Sequence, residues 1–441
     1  MRMTPARRAG SNLTGPHSEQ VATITRVVGR KDGGGQNVIC GLNPTKDVLE
    51  IDRGFVLASG IECSTPTVNG SRVDQLEDTG HYANLKRDLQ LVDHIGLRYL
   101  RYGIPFHRVN PAPGQYDWSF ADSALAELRR LGITPIVDLM HFGVPDDVVN
   151  YQNPQLPERF RQYAAAFAQR YPWVRYYTVV NEPLITASFS ARLGYWNEQR
   201  QDDRSFTRAL LNVARCVVLG ADAIREQEPN ALFLQSDSCE VYHPVHQKAI
   251  ERAEFFNQLR FVAFELYYGR TLPGVVADYL LANGAGRDEL RWFERNGSDS
   301  NHIAGNDYYA ACEKEVLVDG SLRECGERSG YYALALQYQR RLGVPIMHME
   351  TNNGEADAVD WFHRQWTDVV RLRREGVPIR GFTWYGFVNH VDWDTALRER
   401  NGHENALGLV NLRREPMPLW ETYRAIIEAE QEPSRALPAA A

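Results

Sequence analysis

The chain has 441 residues, 43% hydrophobic, 24% charged and 11% aromatic, a composition that supports a full core and excludes disorder over most of its length. A formal charge of -7 gives no basic footprint, so no nucleic acid and no anionic membrane surface is expected as a partner; a small neutral molecule suits it better. No run reaches the roughly 20 apolar residues that a membrane span needs.

Residues 1–45 are polar and aperiodic, include "RKDGGGQN", and read as an N-terminal tail. The start is basic but has no apolar h-region, so cytoplasmic residence is the expectation. Residues 431–441, "QEPSRALPAAA", read as a C-terminal tail. Between them, residues 46–430 show no linker and no close repeat. Instead, strand-like runs alternate with helix-like ones. The strand-like runs are "FVLASGIE" (55–62), "LRYLRYGIPF" (97–106), "ITPIVDLMHF" (133–142), "YYTVVNEP" (176–183), "LFLQSDSC" (232–239), "HIAGNDYY" (302–309), "PIMHMETN" (345–352) and "IRGFTWYG" (379–386).

The segments between have amphipathic helical spacing, as in 84–96, 122–132, 157–171 and 358–376, several closing on a glycine suited to a C-cap. Eight such units predict an α/β fold, a single (β/α)8 barrel of the TIM type with elaborated loops after its strands. A doubly wound open sheet is the competitor, but "GIECSTPTVNG" after the first strand is no G-x-G-x-x-G. The missing fingerprint also counts against a nucleotide-dependent oxidoreductase.

The six cysteines form no C-x-x-C pair and read as reduced thiols that pack as small hydrophobes. His243 and His246 in "YHPVHQ" invite a metal reading, but no third ligand lies nearby. The expectation is no metal and no organic cofactor.

In a (β/α)8 barrel the active site lies at the carboxyl ends of the strands. The fourth strand-like run ends on Asn181 and Glu182 and the seventh on Glu350. Either acid alone could be a structural ion pair. Two acids delivered across one barrel mouth are what glycoside hydrolysis requires. Arg101, His141, Asn181, Tyr308 or Tyr309, Trp384, Asp392 and Trp393 end other strands; they offer the hydrogen-bonding groups and flat faces that suit the hydroxyl edges and C–H faces of a sugar.

These residues resemble glycoside hydrolase family 1, the retaining β-glycosidases, in order from about residue 55 to residue 427. "YTVVNEP" looks like the family's acid/base motif and implies Glu182 as acid/base with Asn181 poised for the sugar 2-hydroxyl. "HMETNNG" resembles the nucleophile motif and implies Glu350 as nucleophile. "YLRYGIPFHR" implies Arg101 as its partner, "GNDYY" brings Tyr308 as a second support, and "LMHFGVP" casts His141 as a sugar ligand. "GFTWYGFVNHVDWD" resembles the Trp-rich eighth-strand loop and implies Trp384, Asp392 and Trp393 as sugar-binding residues.

Three departures stand out. Glu62 in "SGIECSTP" is the substitute for a sugar-gripping glutamine. Asp392 replaces a longer glutamate, and "ETNNG" is one residue longer than the usual Glu-Asn-Gly. The loop after Asp392 lacks the lysine of phosphosugar-specific members, while Arg398 and Arg400 keep a phosphosugar open.

The resemblance implies a β-glucosidase-like enzyme that acts on a small-molecule glycoside with retention, its two carboxyls about 5–5.5 Å apart. A transglycosylase on the same scaffold and a carbohydrate-binding barrel without activity are the alternatives. The segment 184–203 is expected to shape the aglycone side.

Overall fold

The computed structural model describes residues 50–431. The tails expected at 1–45 and 431–441 lie outside the described residues, apart from Gln431, which ends the last helix. All eight strand-like runs contain a strand of one closed barrel. They are β1 (Val56–Ile61), β2 (Tyr99–Gly103), β3 (Thr134–Asp138), β4 (Tyr176–Thr178), β5 (Leu232–Ser238), β6 (His302–Asp307), β7 (Ile346–Glu350) and β8 (Ile379–Tyr385). Each pairs in parallel with its sequence neighbour, and β8 closes on β1 with Ser59 opposite Trp384. Parallel pairing needs a crossover at every step. The helices α1 (His81–His94), α2 (Ser119–Leu131), α3 (Leu156–Arg170), α4 (Asp203–Gln227), α5 (Ile250–Leu259), α6 (Gly330–Leu342) and α7 (Ala358–Arg374) lie in these crossovers, and α8 (Leu419–Gln431) follows β8.

The helices form where apolar side chains recur at three and four residues. In α2, Ala121, Ala124, Leu125 and Leu128 make one buried stripe, and Gly132 at φ 69° ends the helix in the left-handed region that glycine adopts without a Cβ clash. Helix α4 starts where the Asp202 carboxylate accepts the Ser205 N–H at 2.7 Å.

Strand alternation divides the apolar residues between two cores. Val56, Ala58, Tyr99, Ile136, Tyr176, Leu234, Ile303, Met347 and Met349 fill the barrel interior. Leu100, Tyr102, Val137, Tyr177, Phe233, Ala304, Ile346, Phe382 and Trp384 face the helices in the larger outer core. Close packing at the seam of β1 and β8 requires Gly60, where a Cβ would collide with the Tyr385 ring. Among the described residues no helix is long and apolar enough to cross a membrane.

The same alternation aims polar side chains inward at the carboxyl end. Counting by twos from the interior residues, Glu62 follows Ala58, Arg101 follows Tyr99, Asp138 follows Ile136 and Asp307 follows Ile303. Glu350 breaks the rule, being one residue after inward-facing Met349. The ladder between β6 and β7 slips between His348 and Glu350, so that Glu350 lies opposite Asp307. A bulge of this kind re-aims a side chain, and here it returns Glu350 to the interior.

Candidate active site

Glu350, buried at 4% exposure, is held on both oxygens. Arg101 Nη1 donates to Oε1 in a buried ion pair, and the Tyr309 hydroxyl donates to Oε2 at 2.7 Å. Tyr308, expected in that role, turns the other way. It is fully buried, stacks on Trp361 and gives its hydroxyl to Glu313 at 2.9 Å. The correction follows from strand alternation: Tyr309 continues the inward series Ile303, Gly305, Asp307, whereas Tyr308 belongs to the outer core.

Arg101 is the hub of the site. Its Nη2 donates to Asp138 Oδ2 at 2.9 Å and to Asn181 Oδ1. The Asn181 amide donates onward to His141 Nε2 at 2.9 Å, and His141 Nδ1–H donates to Asp138 Oδ2 at 2.9 Å. The ring therefore closes with the His141 proton on Nδ1, the assignment that satisfies every partner. Burial works against the Asp138 charge, but His141 and Arg101 outweigh it and hold the carboxyl below its usual range.

Glu182 is placed differently. Its backbone sits at φ 38° and ψ 68°, left-handed and strained for a side chain of this size. It ends the loop after β4 and starts the short helix Pro183–Ala187. That turn is pinned by the Leu184 N–H donating to Asp237 Oδ2 at 2.8 Å and the Thr186 hydroxyl donating to the Asn181 carbonyl at 2.9 Å. Burial, then the carboxylates of Asp307 and Asp237, push the Glu182 carboxyl well above the ordinary range, with Arg101 opposing. Two acids in opposed environments are the signature of an acid and a nucleophile.

The residues expected to face a sugar only partly match expectation. Glu62 is buried and accepts the Ser64 N–H at 2.8 Å. Burial penalises its charge, yet His390 and His141 more than compensate and hold it below the usual range. Trp393 stands at the mouth, edge-on to Trp196 and near His390, its indole N–H without a partner among the described residues. Asp392 spends both oxygens on its own loop, accepting Gly402 N–H at 3.2 Å and His403 N–H at 2.8 Å.

Trp384 is not in the site. It is fully buried in the outer core, edge-on to Phe362, with Nε1 donating to the Leu407 carbonyl at 3.0 Å. Tyr385, next on β8 and therefore inward, takes that position. Its ring is parallel to His141 at 6.4 Å and under the Arg101 guanidinium at 5.5 Å.

The site residues that the sequence did not single out are Tyr385, His390, Asp138 and Asp307; Tyr309 it offered beside Tyr308, without assigning it to Glu350. Asp138 in "IVDLM" and Asp307 in "GNDYY" carry the same signal as Glu182 and Glu350, an acid at the end of an apolar run. His390, buried and with Nε2 unpartnered among the described residues, faces Glu62 and the Tyr385 ring.

The segment 184–203 lies over the mouth. Phe189, Tyr195 and Trp196 form an apolar cluster with Val68, Phe142, Leu397 and Trp393. Arg398 lies over Tyr195, and Arg400 pairs with Asp78 at 2.7 Å. His243 pairs with Glu313 at 2.8 Å and His246 accepts the Lys248 N–H, so each has a local structural partner. Cys63, Asp138 and His141 bring ligand atoms within 4.8 Å of one another. Those atoms already bond each other, and the Arg101 cation sits on Asp138, a poor neighbourhood for a metal ion.

The family model of Glycosyl hydrolase family 1 matches residues 63–274, a span that includes Glu182 and stops short of Glu350. Glycosyl hydrolase-like protein 1 of Saponaria officinalis is 34% identical over 381 residues, covering 74% of this chain and 83% of that protein. β-Glucosidase A of Thermotoga maritima is 24% identical over 379 residues, covering 74% and 82%. A solved structure of the Thermotoga maritima β-glucosidase, in complex with methoxycarbonyl-substituted glucoimidazole, superposes with a TM-score of 0.73 at 15% identity. It covers 85% of this chain and 98% of the other, so the fold is common to both. Identity above 30% across most of both chains, on a barrel with one glutamate in the loop after its fourth strand and another at the end of its seventh, leads to one conclusion: this chain belongs to glycosyl hydrolase family 1.

Proposed function

We propose that the protein hydrolyses a β-glycoside with retention, by double displacement, with Glu350 as nucleophile and Glu182 as acid/base. The observation that carries this reading is the contrast between the two acids. Glu350 accepts from a guanidinium and a phenol, contacts that favour its charged form. Glu182 is buried beside other carboxylates, which favours its protonated form.

In the first step Glu350 attacks the anomeric carbon while Glu182 gives its proton to the departing glycosidic oxygen. Once Glu350 is esterified its charge is gone, so Glu182 is free to ionise and act as base for the incoming water. Glu62, His141, Asn181, Tyr385, His390 and Trp393 hold the sugar hydroxyls and its apolar face. The apolar cluster around Trp196 and Phe142 receives the aglycone. The relatives named as β-glucosidases make a β-glucoside the first substrate to try.

The test is a panel of aryl β-glycosides with the wild-type protein beside Glu350→Gln, reading the anomeric configuration of the first product by NMR. Turnover with a β product, abolished in the variant, supports the reading. An inverted product, or full activity in Glu350→Gln, sinks it. Adding an alcohol acceptor to the same assay separates hydrolysis from transglycosylation by the ratio of products.

A further inference from the structure

Glu62 is a buried acid to which the site gives no permanent cation. Alternation continues the inward series Ala58, Gly60 to Glu62 at the end of β1, where it is 3% exposed. Its Oε1 accepts the Ser64 N–H at 2.8 Å. Among the described residues no group donates a hydrogen bond to its Oε2, and no arginine or lysine pairs with it. Other buried acids of this protein are served: Glu350 and Asp138 share Arg101, Asp88 has Arg414 and Glu240 has Lys314.

Two lines of contact bring His390 beside this acid. The Tyr385 ring lies edge-on to His390 at 6.0 Å, and its hydroxyl donates to the carbonyl of Ile61 at 3.3 Å. From the other direction, the Ser64 carbonyl accepts the Gln75 N–H at 3.1 Å, and Gln75 Oε1 accepts the Val391 N–H at 3.2 Å. The residues before and after Glu62 are thereby tied to the residues around His390. His141 stands on a third side, its Nδ1 3.3 Å from Cys63 Sγ. His390 is itself 3% exposed, and its Nε2 has no partner among the described residues.

A buried carboxylate needs a counter-charge or a full set of donors to offset its lost hydration. The Ser64 N–H is one donor, and imidazoles are not permanent cations. Burial opposes the charge on Glu62, yet the two histidines hold its carboxyl below the usual range, so it meets a ligand as an anion.

We propose that Glu62 and His390 form a recognition site for an ammonium group, so that the preferred substrate is the β-glycoside of an amino sugar. This deepens the glycosidase reading and rests on it for turnover, though not for binding. A hydroxyl offers Glu62 one donor and no charge. An ammonium offers three donors and a full positive charge, enough for Glu62 Oε2 and, with the imidazole proton on Nδ1, for His390 Nε2 as well. The hydrogen bond to Glu62 is then charge-assisted on both sides, and the ligand brings the cation that Arg101, engaged with Glu350 and Asp138, does not supply.

The test is calorimetric binding to the full-length protein at about pH 6.5, where an amine of ordinary basicity is charged. The probes are methyl β-glucoside, the set of analogues in which each hydroxyl in turn is replaced by an amino group, and the same set N-acetylated. One amino analogue is expected to bind wild type at least about tenfold more tightly than methyl β-glucoside, and to lose that advantage on N-acetylation, which removes the charge and leaves the protein untouched. Glu62→Gln is expected to abolish the preference while keeping affinity for the neutral glucoside. Wild-type protein that binds no amino analogue better than the glucoside overturns the proposal, as does a preference that survives N-acetylation or Glu62→Gln. The N-acetyl comparison decides by itself where Glu62→Gln does not fold. Turnover of neutral aryl glycosides without an amine preference removes this inference and leaves the glycosidase reading; an amine preference without turnover of any glycoside does the reverse.

Discussion

Tyr309 donates its hydroxyl to Glu350 Oε2 at 2.7 Å, while its neighbour Tyr308 donates to Glu313 at 2.9 Å on the far side of the barrel wall. Tyr309→Phe removes a bond to a charged acceptor, worth about 1.5–3 kcal/mol. The expected result is a fall in kcat/KM of roughly 10- to 100-fold. Tyr308→Phe should leave kcat/KM alone and cost about 1 kcal/mol of stability, because Glu313 keeps Ser329 N–H, Gly330 N–H and His243. Urea unfolding beside steady-state kinetics separates the two. Equal kinetic losses would return Tyr308 to the site.

Glu182 makes the fold less stable as pH rises. Its folded pKa lies above the ordinary value of 4.5, so above that value the unfolded chain releases a proton that the folded chain retains. Stability contributed by the protonated form is therefore lost as pH rises from the unfolded value toward the folded one. Across that window the loss accumulates at about 1.4 kcal/mol per pH unit, and Glu182→Gln removes it. Calorimetry should find the variant's Tm equal to wild type near pH 4 and higher near pH 7.5. The same Tm difference at both pH values would refute the account.

Trp384 and Tyr385 should split structure from binding. Trp384→Phe leaves the Leu407 carbonyl without its donor and is expected to cost about 1–3 kcal/mol of stability with KM unchanged. Tyr385→Ala removes a ring beside His141 and Arg101 and is expected to raise KM by roughly tenfold, about 1.4 kcal/mol of lost contact. The opposite pattern would put Trp384 in the pocket.

Asp392 ties down the loop that follows it. Asp392→Ala frees the backbone N–H groups of Gly402 and His403, so hydrogen exchange over residues 393–403 should accelerate, with a rise in KM that follows the loosened loop. A change in KM with unaltered exchange would instead mean that the carboxylate grips the sugar directly.

Arg101→Gln leaves Glu350 and Asp138 as buried acids without their cation. Breaking such a pair costs about 3–5 kcal/mol. Asp138 has a depressed folded pKa, so its contribution is present above the unfolded value and lost as pH falls through the folded one. The variant's deficit should therefore shrink in acid, which Tm measured from pH 7 downward would reveal.

The eight strands, their alternation with helices and the glutamates at 182 and 350 were legible in the sequence because each depends on local pattern. Apolar runs and helical spacing are written in consecutive residues, and a carboxyl group at the end of a buried run is conspicuous. Which face each strand-end residue presents was decided only by the closed barrel. Alternation sends Tyr309 and Tyr385 inward and Tyr308 and Trp384 outward, and the phase of that alternation is set by pairing partners far away in sequence. Glu350 needed a bulge in the ladder with β6 to point inward at all. Asp307 and His390 acquired their meaning from neighbours brought together by folding: a buried acid or imidazole is an ordinary residue until Arg101 and Glu350, or Glu62, are brought beside it and water is excluded.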